Sequence, residues 1–188
     1  RLIPGLGGID SAPPSYGMWE LSRQVNESSD LTDAFNEGIA GLQNRLAMSA
    51  DGEKFLSDLS LFVSEHGARG PYEWDAASET WEVKPESVLA AIDAMRHADE
   101  TLSPANRHAA AVADREAAEA EVRAIFDGNE EALGALELGL RTARVLVPGR
   151  ERTKLTAMMT IHEIRLPIYE LGRRMTERGA LDTPRDIW

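Results

Sequence analysis

The 188-residue sequence contains no cysteine, which excludes a disulfide framework, a thiolate zinc site, an iron–sulfur cluster and a cysteine nucleophile. Positive charge is scarce, with 20 Lys and Arg against 32 Asp and Glu and a formal net charge of -12. That balance excludes most simple nucleic-acid binders, whose affinity comes from cations displacing counterions along a polyanion. Long apolar runs are missing, and no basic stretch followed by an apolar one opens the chain, so neither a membrane span nor a signal peptide is expected. The pI of about 4.8 reads as a cytoplasmic protein. Strand-like alternation and repeats of fixed period are missing too.

What is present is helical spacing. Residues 1–15 carry Pro4, Gly5, Gly7, Gly8, Pro13 and Pro14 and read as an irregular leading segment, with a first helix from about Pro14 carrying Met18, Leu21 and Val25. Leu31, Phe35, Ile39, Leu42 and Leu46 fall three and four apart and predict one further helix, weakened by Gly38 and Gly41. Phe55, Leu59 and Phe62 predict another, ended at Gly67. Residues 66–84 lack the helical period and hold three of the eleven aromatics, which predicts one ordered loop. Pro85 then starts a helix through Val88, Leu89 and Ile92, and Ser103 before Pro104 is an N-cap.

Fifteen of the 26 alanines lie between residues 91 and 143. Strong helix formers with few bulky side chains predict long, closely packed antiparallel helices toward the C-terminus, over 104–126 and from about 130 onward with a turn at Asp127-Gly128-Asn129. Pro148-Gly149 is expected to interrupt the second of these, so that a last helix starts at Arg150, kinks at Pro167 and ends at Gly179. The class is all-α, a bundle of about six to seven helices forming a single domain over 1–188. The chain starts at Arg1 rather than Met and stops just as Pro184 opens a new element, so a fragment of a larger multidomain protein is expected.

Two constellations carry candidate chemistry. In the loop, His66, Arg69, Glu73, Trp74 and Asp75 read either as an acid/base or metal site or, with the greater weight, as an ion network that pins the loop. A self-contained acid/base enzyme using His66, Glu73 and Asp75 is the corresponding catalytic reading. The second constellation is Arg141, Arg144, Arg150, Arg152 and Lys154, opposed by Glu151 alone, a local charge of +4. At a helix start these cations suit a phosphate or carboxylate ligand; on a solvated face they pair with nearby glutamates. Met158, Met159 and His162 follow one turn later and read as core or as the wall of a pocket for a bulky apolar ligand. His162-Glu163 lacks the second His of a zinc-protease helix, no metal ligand set is recognised, and Gly5-Leu6-Gly7-Gly8 lacks the Lys and Ser or Thr of a phosphate loop.

Four stretches resemble a known family: GLGGIDSAPPSYGMWELSRQV at 5–25, HGARGPYEWD at 66–75 with TWEVKPESVL at 80–89, GRERTK at 149–154, and YELGRRMTERGALDTPRDIW at 169–188. They are similar to the central helical region of phosphoenolpyruvate-utilising enzymes of the rifampin phosphotransferase-like and phosphoenolpyruvate synthase-like kinds. The resemblance implies an acceptor-binding helical domain of an ATP-dependent phosphotransferase with a phosphohistidine relay. ATP and magnesium would belong to the full-length enzyme, and the partners would be a small-molecule acceptor and the ATP-binding and phosphohistidine domains of the same polypeptide. It further implies that Arg150, Glu151 and Lys154, in an Arg-Glu-x-x-Lys pattern, face the acceptor. No catalytic residue and no cofactor site is expected in the chain itself, and a purely structural linker between those two domains is the alternative.

Overall fold

In the computed structural model, residues 2–6 and 12–188 are described. They form seven α-helices and, among the described residues, no strand: α1 Pro13–Glu27, α2 Ser29–Asn36, α3 Leu42–Leu46, α4 Ala50–His66, α5 Glu86–Arg96, α6 Pro104–Ile125 and α7 Glu130–Glu177. Short 3-10 turns occupy Glu100–Leu102 and Pro184–Ile187. The all-α class and the helix number follow the expectation from spacing. No helix among the described residues is long and apolar enough to cross a membrane.

The chain divides into two compact units, with divisions inside α1, just after α5 and inside α7. The first unit comprises the leading segment to Tyr16 together with Ala98–Leu155. Its frame is the hairpin of α6 and the first half of α7, which cross-pair at Arg123–Glu137 (2.7 Å) and Arg144–Glu119 (3.4 Å) and therefore run antiparallel. Ser103 caps α6, its hydroxyl accepting from the Asn106 amide at 3.2 Å. Glu119 is buried and meets three guanidiniums, those of Arg115, Arg123 and Arg144. Alanine-rich helices approach closely, and a carboxylate between them is tolerable because several cations share its charge. Gly7 and Gly8 of the glycine run lie outside the described residues.

The second unit holds the hydrophobic core: Met18, Leu21 and Val25 of α1, Leu31 and Phe35 of α2, Leu42 and Leu46 of α3, Phe55, Leu59 and Phe62 of α4, and Val88, Leu89 and Ile92 of α5. Phe35 and Phe55 meet edge to face with centroids 5.6 Å apart. The expected single helix over Leu31–Leu46 is two helices. Gly38 (φ 95) and Gly41 (φ 71) sit in the left-handed region, which ends α2 and restarts the chain as α3. Arg45 caps the break, donating to the carbonyls of Ala34, Gly38 and Ala40. The hydrophobic spacing survives because both short helices point the same residues at the core.

The expected break at Pro148-Gly149 is likewise corrected, since α7 continues through it, and through Pro167, for 48 residues. Each proline removes one N–H and crowds one carbonyl, a cost of about 3 kcal/mol, and the good helix formers on both sides carry the remaining hydrogen bonds.

After Glu177 the chain turns back, and the Pro184–Ile187 turn packs on α7 at Gly172, where an added Cβ would stand 2.3 Å from the Pro184 carbonyl oxygen and 3.1 Å from Ile187. Gly172→Ala is therefore expected to displace residues 180–188 while leaving α7 intact, at a cost of about 1 kcal/mol because the short tail can swing away. Hydrogen exchange should show amides 186–188 losing protection, and unchanged exchange there would mean that the tail has room for the methyl group.

Candidate functional site

The loop predicted over 66–84 is held by one buried arginine. Arg165 is 1% exposed, and its guanidinium donates to three loop carbonyls: Ala76 at 2.9 Å, Asp75 at 2.8 Å and Glu73 at 3.3 Å. Its remaining nitrogen lies 3.3 Å from His162 Nδ1. Burial pushes the guanidinium below its ordinary value and the Asp75 carboxylate pulls it back, so it stays a cation stabilised chiefly by carbonyl dipoles.

His162, also buried, links the helix to the loop a second time. A guanidinium can only donate, so Nδ1 accepts and the proton sits on Nε2, which points at Glu82 Oε2 3.0 Å away. The buried Thr80 hydroxyl lies 3.3 Å from the same Nδ1. Met158, His162 and Arg165 recur at four and three residues, one face of α7, and all three are buried.

The loop adds its own ties. Trp81 N–H donates to the Arg69 carbonyl at 2.8 Å and Glu82 N–H to Gly67 at 3.1 Å. Arg69 and Glu73 pair at 2.7 Å with both side chains largely buried, and the Ser78 hydroxyl donates to the Pro71 carbonyl. Tyr72 has φ 54, a conformation that costs a bulky side chain about 1–3 kcal/mol and persists only where the surroundings impose it. Arg165 and the Arg69–Glu73 pair are that imposition.

Of the residues expected to form a loop network, Arg69 and Glu73 are joined directly, and Asp75 contributes its backbone carbonyl to Arg165 and its carboxylate to the Ala77 amide at 3.0 Å. His66 turns instead to the core, edge-on to Phe62 at 5.0 Å, where burial pushes its imidazole below the ordinary value. Trp74 stands at the surface. Among the described residues no group of three His, Asp or Glu side chains converges as a metal ion would need.

The expected binding residues fall in both units: Arg150, Glu151, Arg152 and Lys154 in the first, Met158, Met159 and His162 in the second. Arg150 is 77% exposed at its side chain and pairs at 2.7 Å with Glu151, which is largely buried. The helix-start argument for Arg150 and Arg152 is corrected: both lie inside α7, where backbone N–H groups are already bonded, so no free amides face an anion there. Arg144 pairs with Glu119, and neither Arg152 nor Lys154 is without a partner. Met158 is 1% exposed whereas Met159, one residue on, is 50% exposed. Sequence reasoning missed Arg165, Thr80 and Glu82. A cation at the third step of the Met158–His162 stripe was the available signal.

The family described as the rifampicin phosphotransferase fourth domain matches residues 1–151. The chain belongs to this family. The match takes in the loop, the α6–α7 hairpin and the Arg150–Glu151 pair, and stops before Lys154, Met158 and His162. No curated protein matches the chain. The membership makes the chain a domain of a phosphotransferase-type enzyme, in agreement with the resemblance in the segments at 5–25, 66–75 and 80–89, which lie inside the match.

Proposed function

We propose that this fourth domain binds the acceptor substrate of an ATP-dependent phosphotransferase of the phosphohistidine-relay type, and transfers nothing by itself. The observation that carries this reading is the Arg150–Glu151 pair, inside the family match: a largely buried carboxylate pairs with a solvent-facing guanidinium. Phosphoryl transfer asks mainly for positioning and charge neutralisation, and a paired cation beside the acceptor hydroxyl supplies both. Lys154 completes the Arg-Glu-x-x-Lys pattern. ATP, magnesium and the phosphohistidine belong to other domains of the same polypeptide in this reading. The acceptor is a rifamycin or, as the smaller alternative, pyruvate.

Calorimetric titration of the chain with rifampicin tests it. Saturable one-to-one binding is expected, weakened about tenfold in Arg150→Ala, which corresponds to one lost charge-assisted contact of about 1.4 kcal/mol. Absence of binding to both rifampicin and pyruvate would count decisively against an acceptor role.

The uninterrupted 48-residue α7 favours a second reading, a rigid spacer between the nucleotide-binding and phosphohistidine domains. Under it, Arg150→Ala, Met158→Ala and Met159→Ala leave the acceptor KM of the full-length enzyme unchanged.

A further inference from the structure

The loop fastened by Arg165 presents two large rings to solvent: Tyr72 is 84% exposed and Trp74 54%. Asp75 N–H donates to the Tyr72 carbonyl at 2.8 Å, so both rings and the exposed Asp75 carboxylate share one turn. Residues 70–83 contain no Lys or Arg and four carboxylates, Glu73, Asp75, Glu79 and Glu82. Three of these face cations or an imidazole of the same unit: Glu73 meets Arg69, Glu79 meets Lys84, and Glu82 meets His162. The Asp75 carboxylate accepts from the Ala77 amide, lies within the field of the buried Arg165 guanidinium, and has no ion pair with a surface cation of the turn while remaining exposed.

We infer that this turn is a docking surface for an arginine-bearing segment of another polypeptide domain. A guanidinium stacks on an aromatic face and at the same time offers a planar fork to a carboxylate, so arginine satisfies both chemistries of the turn. An anionic partner would meet four carboxylates and one exposed cation, Lys84, already paired with Glu79, and a wholly apolar one would bury the Asp75 carboxylate away from water. Two rings two residues apart accommodate neighbouring side chains of a chain rather than a lone cation. The net charge of -12 steers cationic partners toward the surface. The turn is already rigid, through Arg165 and the Arg69–Glu73 pair, so docking does not have to order it. This inference stands apart from the acceptor reading and does not depend on it.

The test is a titration of the full 188-residue chain with the acetylated tripeptide Arg-Leu-Arg and its Lys-Leu-Lys counterpart, followed at the Trp74 indole by NMR. Saturable shifts at Trp74 and its neighbours are expected, with the lysine peptide at least threefold weaker. Trp74→Ala, followed at the neighbouring backbone amides of the turn, and Asp75→Asn should each weaken binding at least fivefold with the thermal midpoint unchanged. Tyr72→Gly removes a ring while relieving the backbone, so weaker binding by a more stable protein separates loss of the contact from loss of the fold. The proposal is overturned by no shift at millimolar peptide, or by equal affinity in Trp74→Ala and Asp75→Asn, which would mean diffuse attraction to an acidic surface. A response of the Trp74 indole to rifampicin without one to the arginine peptide would also overturn it, and would make the turn an acceptor contact.

Discussion

Arg165→Met is expected to lower the stability of the second unit by about 3 kcal/mol and to free the 67–84 loop. The substitution keeps a flexible apolar stem of similar reach but removes every donor. The carbonyls of Glu73, Asp75 and Ala76 lose their partner together, and an unsatisfied buried acceptor costs about 1–3 kcal/mol. Water reaching the loop recovers part of the sum, which sets the estimate near the lower bound of three such losses. His162 Nδ1 also loses a donor, leaving Thr80 as its neighbour. With a urea m-value of about 2 kcal/mol/M, the unfolding midpoint should fall by more than 1 M. Arg165→Lys keeps the charge but offers a single point of contact in place of a fork, and should land between the two. Amide exchange in residues 69–82 reports the loop directly. A midpoint shift below about 0.3 M with loop protection intact would show that the backbone ties alone hold it.

Gly52→Ala is the second large effect, and its sign is opposite to what helix propensity gives. In a helix interior an alanine ordinarily gains about 0.5–1 kcal/mol over glycine. At Gly52, in the first turn of α4, the new Cβ would stand 1.9 Å from the Leu46 carbonyl oxygen, 2.6 Å from its carbon and 2.8 Å from its Cα. All three are backbone atoms, so no side-chain rotation relieves the overlap, and α3 must move away from α4. A loss of about 3 kcal/mol is expected, at the upper end of overpacking costs. Two glycines serve as controls. Gly134 lies inside α7 with open space around its Cβ position, so Gly134→Ala should stabilise by about 0.5–1 kcal/mol. Gly38 also has open space but φ 95, so Gly38→Ala should destabilise through backbone conformation alone. Chemical denaturation of the three variants gives the order Gly134→Ala, Gly38→Ala, Gly52→Ala from most to least stable, and a stabilised Gly52→Ala would refute the close α3–α4 approach.

The acceptor proposal and the docking proposal make separable demands on the molecule. One rests on Arg150 and Glu151 and the other on Tyr72, Trp74 and Asp75, more than seventy residues apart in sequence. A variant at either set that abolishes both bindings would indicate loss of fold rather than loss of a contact.

The amino-acid sequence by itself determined the helical class, the core and most of the loop limits, because these rest on local periods and caps. The three- and four-residue spacing of Leu31, Phe35, Ile39, Leu42 and Leu46 marks the core whether the backbone is one helix or two. Ser103, the Asp127–Asn129 turn and the aperiodic 66–84 stretch act through neighbours a few residues away, so they are legible without a fold. The quoted segments likewise pointed to the family that residues 1–151 match. The tertiary structure alone decided three things. Gly38 and Gly41 break a helix where Pro148 and Pro167 do not, because a positive φ reverses the chain whereas a proline forfeits one hydrogen bond among many. The loop network centres on Arg165 rather than on His66, because its partners are carbonyls 89 to 92 residues away in sequence and carbonyls leave no trace in side-chain composition. Gly52 has no room for a side chain because of the Leu46 backbone six residues earlier, a contact set by how two helices cross and not by either helix alone.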